Sequence, residues 1–188
     1  MGQYYTPIII RGNSKSSYNS WDYDNGLKLT EHSYLGNNFV ETVLKQLFES
    51  KGRLAWVGDY AEPEDVKSPL AEKFIEVERN SKKYEKTPDE EKGNSFYLYF
   101  INHTKKEYID MKRYITCNKV LDKYEMVAHP IPLLTAIGNG RGGGDYWGSC
   151  MNKIGYWACD EIESTYEKPE GYKDITAEIR FVEGEEDN

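Results

Sequence analysis

The sequence predicts an α+β fold: a mixed, mainly antiparallel sheet with one main amphipathic helix, at about residues 38–50, packed on it. Three observations lead to this. Strand-like segments outnumber helical ones, no repeated strand–helix–strand rhythm is visible, and only one segment has strong helical periodicity. A length of 188 residues is typical of one domain. We therefore expect a single domain over residues 1–182, with a charged insertion at about 62–94 and an acidic tail at 183–188.

The N-terminal quarter predicts two strands and a loop. Residues 4–10 combine aromatic and β-branched side chains and predict the first strand. Residues 12–20 are small and polar and predict a loop. Asp-Asn-Gly at 24–26 predicts a turn, and the alternation that follows it predicts a half-buried strand at 27–30.

The main helix is predicted by apolar residues at helical spacing between 38 and 50, with Asn37 or Asn38 as its N-cap and Gly52 as its end. Residues 53–57 form a short apolar run and predict a strand that ends in a turn. The insertion that follows is rich in Glu, Lys, Pro and Ser, and only residues 70–77 have the periodicity of a short helix.

The C-terminal half predicts further strands. Residues 95–102 are apolar on both faces and predict a central strand, and Tyr108 with Ile109 predict its hairpin partner. Residues 127–137 contain two prolines and are interpreted as extended chain outside a central strand. Alternation over 174–182 predicts the last strand.

Composition excludes several function classes. A net charge of −8 argues against direct binding to duplex nucleic acid, which requires a basic surface. No apolar run reaches the roughly 18 residues of a membrane span, and the N-terminus lacks the charged front of a signal peptide. Three cysteines without metal-ligand spacing suit a reducing compartment. We therefore expect a cytoplasmic protein without membrane contact, and the sequence indicates no cofactor and no metal site.

The most unusual stretch is the glycine cluster at 138–148, GNGRGGGDYWG. It formally contains G-x-G-x-x-G, but too few residues follow to build a dinucleotide-binding sheet. Successive glycine N–H groups can form a nest for an anion, to which Arg141 would add a bidentate donor. The alternative is a tight loop packed beneath aromatic side chains. The candidate ligand contacts in this cluster are Asn139, Arg141, Gly143, Asp145, Tyr146 and Trp147.

A second loop repeats part of the first. Trp56, Asp59 and Tyr60 stand in Trp-Val-Gly-Asp-Tyr, which shares Gly-Asp-Tyr with residues 144–146. If the loops meet, Asp59 and Asp145 would form a paired-carboxylate site. The alternative is that each Asp binds its own turn backbone.

The histidines offer candidate proton carriers. His32 is predicted to lie in the half-buried strand, and His103 to end the central strand. Either could act as a general base beside the paired carboxylates, and either could equally be a hydrogen-bonded structural residue. No two of the three histidines have the spacing of a helix-borne zinc site.

Several motifs resemble a family of uncharacterised proteins from bacteria and their phages. They are MGQYY (1–5), GLKLTEHS (26–33), WVGDYA (56–61), NHTKKEY (102–108) and the cluster from Gly138 to Tyr146. The resemblance implies a small bacterial or phage-encoded cytosolic protein and suggests interference with host defence. It assigns no catalytic residue.

Three functions follow as hypotheses. The first is a non-catalytic binding protein with an aromatic and glycine-loop site for an anionic small molecule such as a nucleotide. The second is a phage counter-defence inhibitor, similar in action to anti-CRISPR proteins, that binds a host effector protein through its acidic, Tyr-rich surface. The third is a small hydrolase that uses the paired Asp residues. The sequence favours a protein that is not an enzyme and leaves its oligomeric state open.

Overall fold

In the computed structural model, the described residues are 1–86, 97–118 and 127–184, and they form an α+β fold around one eight-stranded sheet. The strands are β1 (Tyr5–Arg11), β2 (Ser14–Ser17), β3 (Gly52–Gly58), β4 (Tyr99–Asn102), β5 (Glu107–Asp110), β6 (Ala136–Ile137), β7 (Glu161–Thr165) and β8 (Lys173–Asp174). Their order is β2-β1-β3-β7-β4-β5-β8, and β6 also pairs with β3. The pairs β3–β6 and β5–β8 are parallel and the others are antiparallel, so the predicted fold class is confirmed.

Helices pack on both faces of the sheet. They are α1 (Leu29–His32), α2 (Asn38–Glu49), α3 (Ala71–Arg79), α4 (Ser81–Tyr84), α5 (Met111–Asn118) and α6 (Pro130–Leu134). Short 3₁₀ helices span Ser20–Tyr23, Pro63–Asp65, Met151–Lys153 and Thr176–Glu178. Within the described ranges, no helix has the length and apolar character needed to cross a membrane.

Alternation along β3 divides the core between the two faces. Leu54 and Trp56 pack in the larger core with α2, whereas Ala55 and Val57 face the smaller core under α3. Phe74 of α3 is fully buried in that smaller core. The short helix predicted at 70–77 is therefore present and covers the second face of β1 and β3. Residues 87–94 of the predicted insertion lie outside the described residues, and the division into domain, insertion and tail stays a prediction.

The main helix begins where its cap predicts. The Asn37 side-chain oxygen accepts hydrogen bonds from the backbone N–H groups of Phe39 and Val40, at 3.0 and 3.2 Å. Two orphan donors of the first turn are thereby satisfied in a buried position. Gly52 does not end the helix, because Ser50 occupies the C-cap and Gly52 begins β3.

We expect Asn37→Ala to lower the free energy of unfolding by about 1–2 kcal/mol, because it removes this cap. Urea denaturation measures the change. Asn38→Ala is the matched control: Asn38 is exposed, and although its oxygen also accepts from the Phe39 N–H at 2.9 Å, that donor keeps its partner Asn37, so the loss should cost about 0.5 kcal/mol or less. Equal losses in the two variants would contradict the cap assignment.

Two predictions in the N-terminal quarter are wrong. Residues 14–17 are a strand, not a loop, because the turn at Gly12 folds them back antiparallel to β1. Residues 27–30 are not a strand: the chain turns at Asp24 and forms helix α1 from Leu29. Pairing with β1 decides the conformation of the first segment, whereas in the second the Lys28 N–H donates to the Glu31 carboxylate at 3.1 Å and caps the start of α1.

Two further predictions in the C-terminal half are wrong. The segment 127–137 is extended only in part: residues 136–137 form β6, but residues 130–134 form α6, with Pro130 at its first position, where a missing N–H costs nothing. The segment 174–182 is not a strand: a 3₁₀ helix occupies Thr176–Glu178, although Ile175, Ile179 and Phe181 are buried as the alternation implied. β4 is internal to the sheet as predicted and starts at Tyr99, while residues 95 and 96 lie outside the described residues.

Candidate functional site

The two Gly-Asp-Tyr loops lie at the same end of the sheet. β6 runs parallel to β3, with Trp56 opposite Ala136 and Val57 opposite Ile137. Parallel strands leave the sheet on the same edge, so Gly58 and Gly138 begin their loops at the same level. We call this region the loop end and define it as residues 1–5, 56–61 and 138–148.

A buried glutamine joins the two loops. Gln3 has no exposed surface, and its Nε2 donates to the carbonyl oxygen of Gly138 at 2.7 Å and to Asp145 Oδ1 at 3.2 Å. A Cβ atom on Gly58 would lie 2.6 Å from Gln3 Nε2, and one on Gly142 would lie 2.5 Å from Gln3 Cβ. Glycine is therefore required at both positions so that the Gln3 side chain fits between the loops.

The anion nest predicted in the glycine cluster exists, and the chain's own Asp145 occupies it. Asp145 Oδ2 accepts from the backbone N–H groups of Gly140 and Gly142, at 2.6 and 3.0 Å. Its Oδ1 accepts from the Tyr5 hydroxyl at 2.9 Å. Burial and the Asp145 charge both raise the pKa of Tyr5, so this hydroxyl remains a donor. Converging N–H groups and a carboxylate satisfy one another inside the loop.

Arg141 is likewise engaged within the chain. Its guanidinium binds the Asp65 carboxylate through two nitrogens at 2.7–2.9 Å and lies 4.0 Å from Glu64. The hydrogen bond to Asp65 is the main cause of the raised pKa of Arg141. A bidentate Arg–carboxylate pair is a specific geometry, so an anionic ligand would have to displace Asp65 to reach the fork.

Three predicted contact residues hold the loop in shape. Asn139 binds Tyr146 twice, donating to its carbonyl oxygen at 2.9 Å and accepting from its N–H at 2.8 Å. Gly143 exchanges backbone hydrogen bonds with Met1 and Gln3. Tyr146 is buried and donates to the Ser149 carbonyl oxygen at 2.8 Å. Each of them contacts the chain itself.

Trp56 is not a surface residue, contrary to its role in the predicted site. It is fully buried, and its Nε1 donates to His32 Nε2 at 3.0 Å. The alternation of β3 points it into the larger core, so no face of its ring is available to a ligand.

Exposed aromatic side chains remain at the loop end. Trp147 is 55% exposed, Tyr4 47% and Tyr60 37%. Asp59 is also exposed, and its Oδ1 accepts from the backbone N–H of Tyr4 at 3.0 Å. Asp59 therefore binds the backbone just before β1 and not that of its own turn, whereas Asp145 binds the backbone of its own turn, the alternative considered for it in the sequence.

The candidate histidines lie away from the two carboxylates. His32 is buried in α1, not in a strand, and uses both ring nitrogens, on Trp56 and on the Gly26 carbonyl oxygen at 3.0 Å. His103 follows β4 and bonds to Glu161, which pairs with Arg53 near the other end of β3. The loops meet, but neither histidine stands beside Asp59 and Asp145 as a proton carrier.

Three residues of this network escaped the sequence analysis: Gln3, Tyr5 and Asp65. Gln3 and Tyr5 belong to the motif MGQYY, whose glutamine between a glycine and aromatic residues was the one available signal. Asp65 gave none, because 76 residues separate it from Arg141.

Among the residues that the structure describes, no three His, Cys, Asp or Glu side chains come together in a way that could hold a metal ion. Comparisons with protein-family models, curated proteins and solved structures found no match for this chain.

Proposed function

We propose that this chain is a non-catalytic protein-binding domain whose loop end contacts a cationic surface of a partner protein. The resemblance to bacterial and phage proteins suggests a host effector as that partner. The observation that carries the proposal is the engagement of Arg141 by Asp65, which neutralises this guanidinium beside the exposed Asp59 and Glu64 and the exposed aromatic side chains.

The charge beside the loop end supports a cationic partner. Glu62, Glu64 and Asp65 all act on the single guanidinium of Arg141. In α3, burial and the negative charge of the nearby Asp59 raise the pKa of Glu78 to about 7. The effect of Asp59 shows that carboxylates lie close together on this side of the loop end. An acidic surface steers and orients a basic one during association.

The exposed aromatic side chains supply the contact area. Trp147, Tyr4 and Tyr60 present large rings that lose little conformational entropy on binding. Trp and Tyr are the residue types most enriched among the side chains that dominate interface energies. They stand on loops that Gln3 and Asp145 hold rigidly, so little ordering remains to be done on association.

The other two hypotheses receive less support from the geometry. A nucleotide-sized anion would have to replace Asp145 in the nest or Asp65 on Arg141. A hydrolase built on Asp59 and Asp145 would not have His32 as its proton carrier, because both ring nitrogens of His32 are bound by Trp56 and Gly26.

A fluorescent octalysine peptide tests the proposal by fluorescence anisotropy at low and moderate salt. We expect salt-sensitive binding that Glu64→Lys weakens about fivefold, as expected for reversal of one nearby charge. Glu64 suits this test because its side chain is 75% exposed. Trp147→Ala should also weaken binding.

Glu49→Lys is the matched control, because it makes the same change in net charge at the exposed end of α2. It should leave the affinity nearly unchanged. Equal weakening by both reversals would show that only net charge matters and would overturn the assignment of the surface. Stabilisation by ATP that Arg141→Ala abolishes would overturn it in favour of an anionic ligand.

A further inference from the structure

A second polar cluster lies on β4 and β7, on the face opposite the larger core into which Phe100 and Ile162 project. Residues 101 and 163 are paired across these strands, so His103 and Glu163 project on the same side. The segment after β7 brings Tyr172 to His103. His103 Nε2 lies 2.6 Å from Glu163 Oε2, and His103 Nδ1 lies 2.9 Å from the Tyr172 hydroxyl oxygen.

The hydrogen-bond partners of His103 determine which tautomer its neutral ring adopts. An ionised Glu163 can only accept, so the hydrogen of a neutral His103 must be on Nε2. Nδ1 then carries a lone pair, and the contact with Tyr172 requires the phenol O–H to donate to it. Among the described residues, the Tyr172 oxygen makes no other hydrogen bond. Its own lone pairs are therefore unoccupied.

This is the arrangement of an activated nucleophile. A hydroxyl donates to a base, and a third group orients that base and stabilises the charge it acquires. The side chains of His103 and Glu163 are 21% and 35% exposed, and Tyr172 is partly exposed, so a reagent can reach the cluster.

We propose that Tyr172 is a nucleophile toward electrophiles that carry a leaving group, such as activated phosphoryl compounds, with His103 as its general base and Glu163 as a positioning residue. This site is separate from the loop end and does not depend on the proposed binding function.

The step balances with the groups present. The Tyr172 oxygen attacks phosphorus, an O–P bond forms, and the bond from phosphorus to the leaving group breaks with its electron pair on that group. The phenol proton moves to His103 Nδ1, and Glu163 stabilises the resulting imidazolium. The product is a tyrosyl phosphoester, and no oxidant or reductant is needed.

A fluorophosphonate probe tests this, since fluoride is its leaving group. Peptide mapping by mass spectrometry follows the labelling rates of individual tyrosines in the intact protein. Tyr166 is the internal reference, because it is 48% exposed and belongs to an aromatic cluster without a base. We expect Tyr172 to react at least ten times faster than Tyr166, a conservative part of what general-base catalysis supplies.

Variants separate a base from a structural contact. His103→Ala should reduce labelling of Tyr172 at least tenfold, and added imidazole should restore part of the rate. Glu163→Gln should reduce the rate, and Glu163→Asp should recover part of it. A Tyr172 rate less than ten times that of Tyr166 in the unmodified protein overturns the proposal even if every variant fails to fold. Fast labelling that does not depend on His103 also overturns it.

Discussion

Asp145→Asn is expected to lower the free energy of unfolding by about 3 kcal/mol, although it changes only one atom of the side chain. The carboxylate accepts from Gly140, Gly142, Tyr5 and Gln3. An amide has one N–H₂ end, and in either orientation that end faces N–H or O–H donors already aimed at it. The substitution therefore loses charge-assisted hydrogen bonds and opposes donor to donor. Urea denaturation at neutral pH measures the loss.

Asp59→Asn is the matched control in the other Gly-Asp-Tyr loop. Asp59 is exposed and accepts a single side-chain hydrogen bond, from Tyr4 N–H, which an amide oxygen can also accept. We expect a change of about 0.5 kcal/mol or less. Losses of similar size in the two variants would contradict the view that Asp145 fills the nest.

The parts of the fold that could be predicted are those in which one segment's own pattern fixes its structure. The α2 spacing with its Asn37 cap and the apolar run of β3 are of this kind. The composition of residues 14–17 predicts a loop instead of β2, because Ser-Lys-Ser-Ser becomes a strand only by pairing with β1. Where such a helix or strand begins and ends depends on contacts with residues distant in sequence, and a single sequence does not show those contacts.

The candidate site can likewise be predicted only in part from the sequence. The glycine cluster predicts a nest of backbone N–H groups for an anion, and the N–H groups of Gly140 and Gly142 do converge on one carboxylate oxygen. Its occupant could not be predicted, because an internal carboxylate and an external anion satisfy the same N–H groups equally well. The repeat of Gly-Asp-Tyr at 58–60 and 144–146 left open whether the two loops meet, and the parallel β3–β6 pair is the physical reason that they do.

A second large effect is expected on the pH dependence of stability, from the buried His32. Its Nε2 must accept from Trp56 Nε1, so protonation would place two N–H groups against each other. Burial accordingly lowers the pKa of His32 from 6.5 to about 4. Below pH 6.5, His32 takes up a proton in the unfolded chain but stays neutral in the folded chain until the pH approaches 4. The contribution of neutral His32 to the free energy of unfolding is therefore complete above pH 6.5 and is lost as the pH falls toward 4, by about 2 kcal/mol at pH 5.

Glu41 opposes this effect. Burial raises its pKa to about 7, so between pH 4.5 and 7 the folded chain holds the proton and stability increases as the pH falls. Between pH 7 and pH 5, His32→Gln should reduce the acid loss by about 2 kcal/mol, and Glu41→Gln should increase it. Urea denaturation at the two pH values measures each difference. Simple damage to the fold would lower stability at both pH values alike, whereas opposite shifts of the two variants require these two titrations. Shifts in the same direction would contradict the assignment.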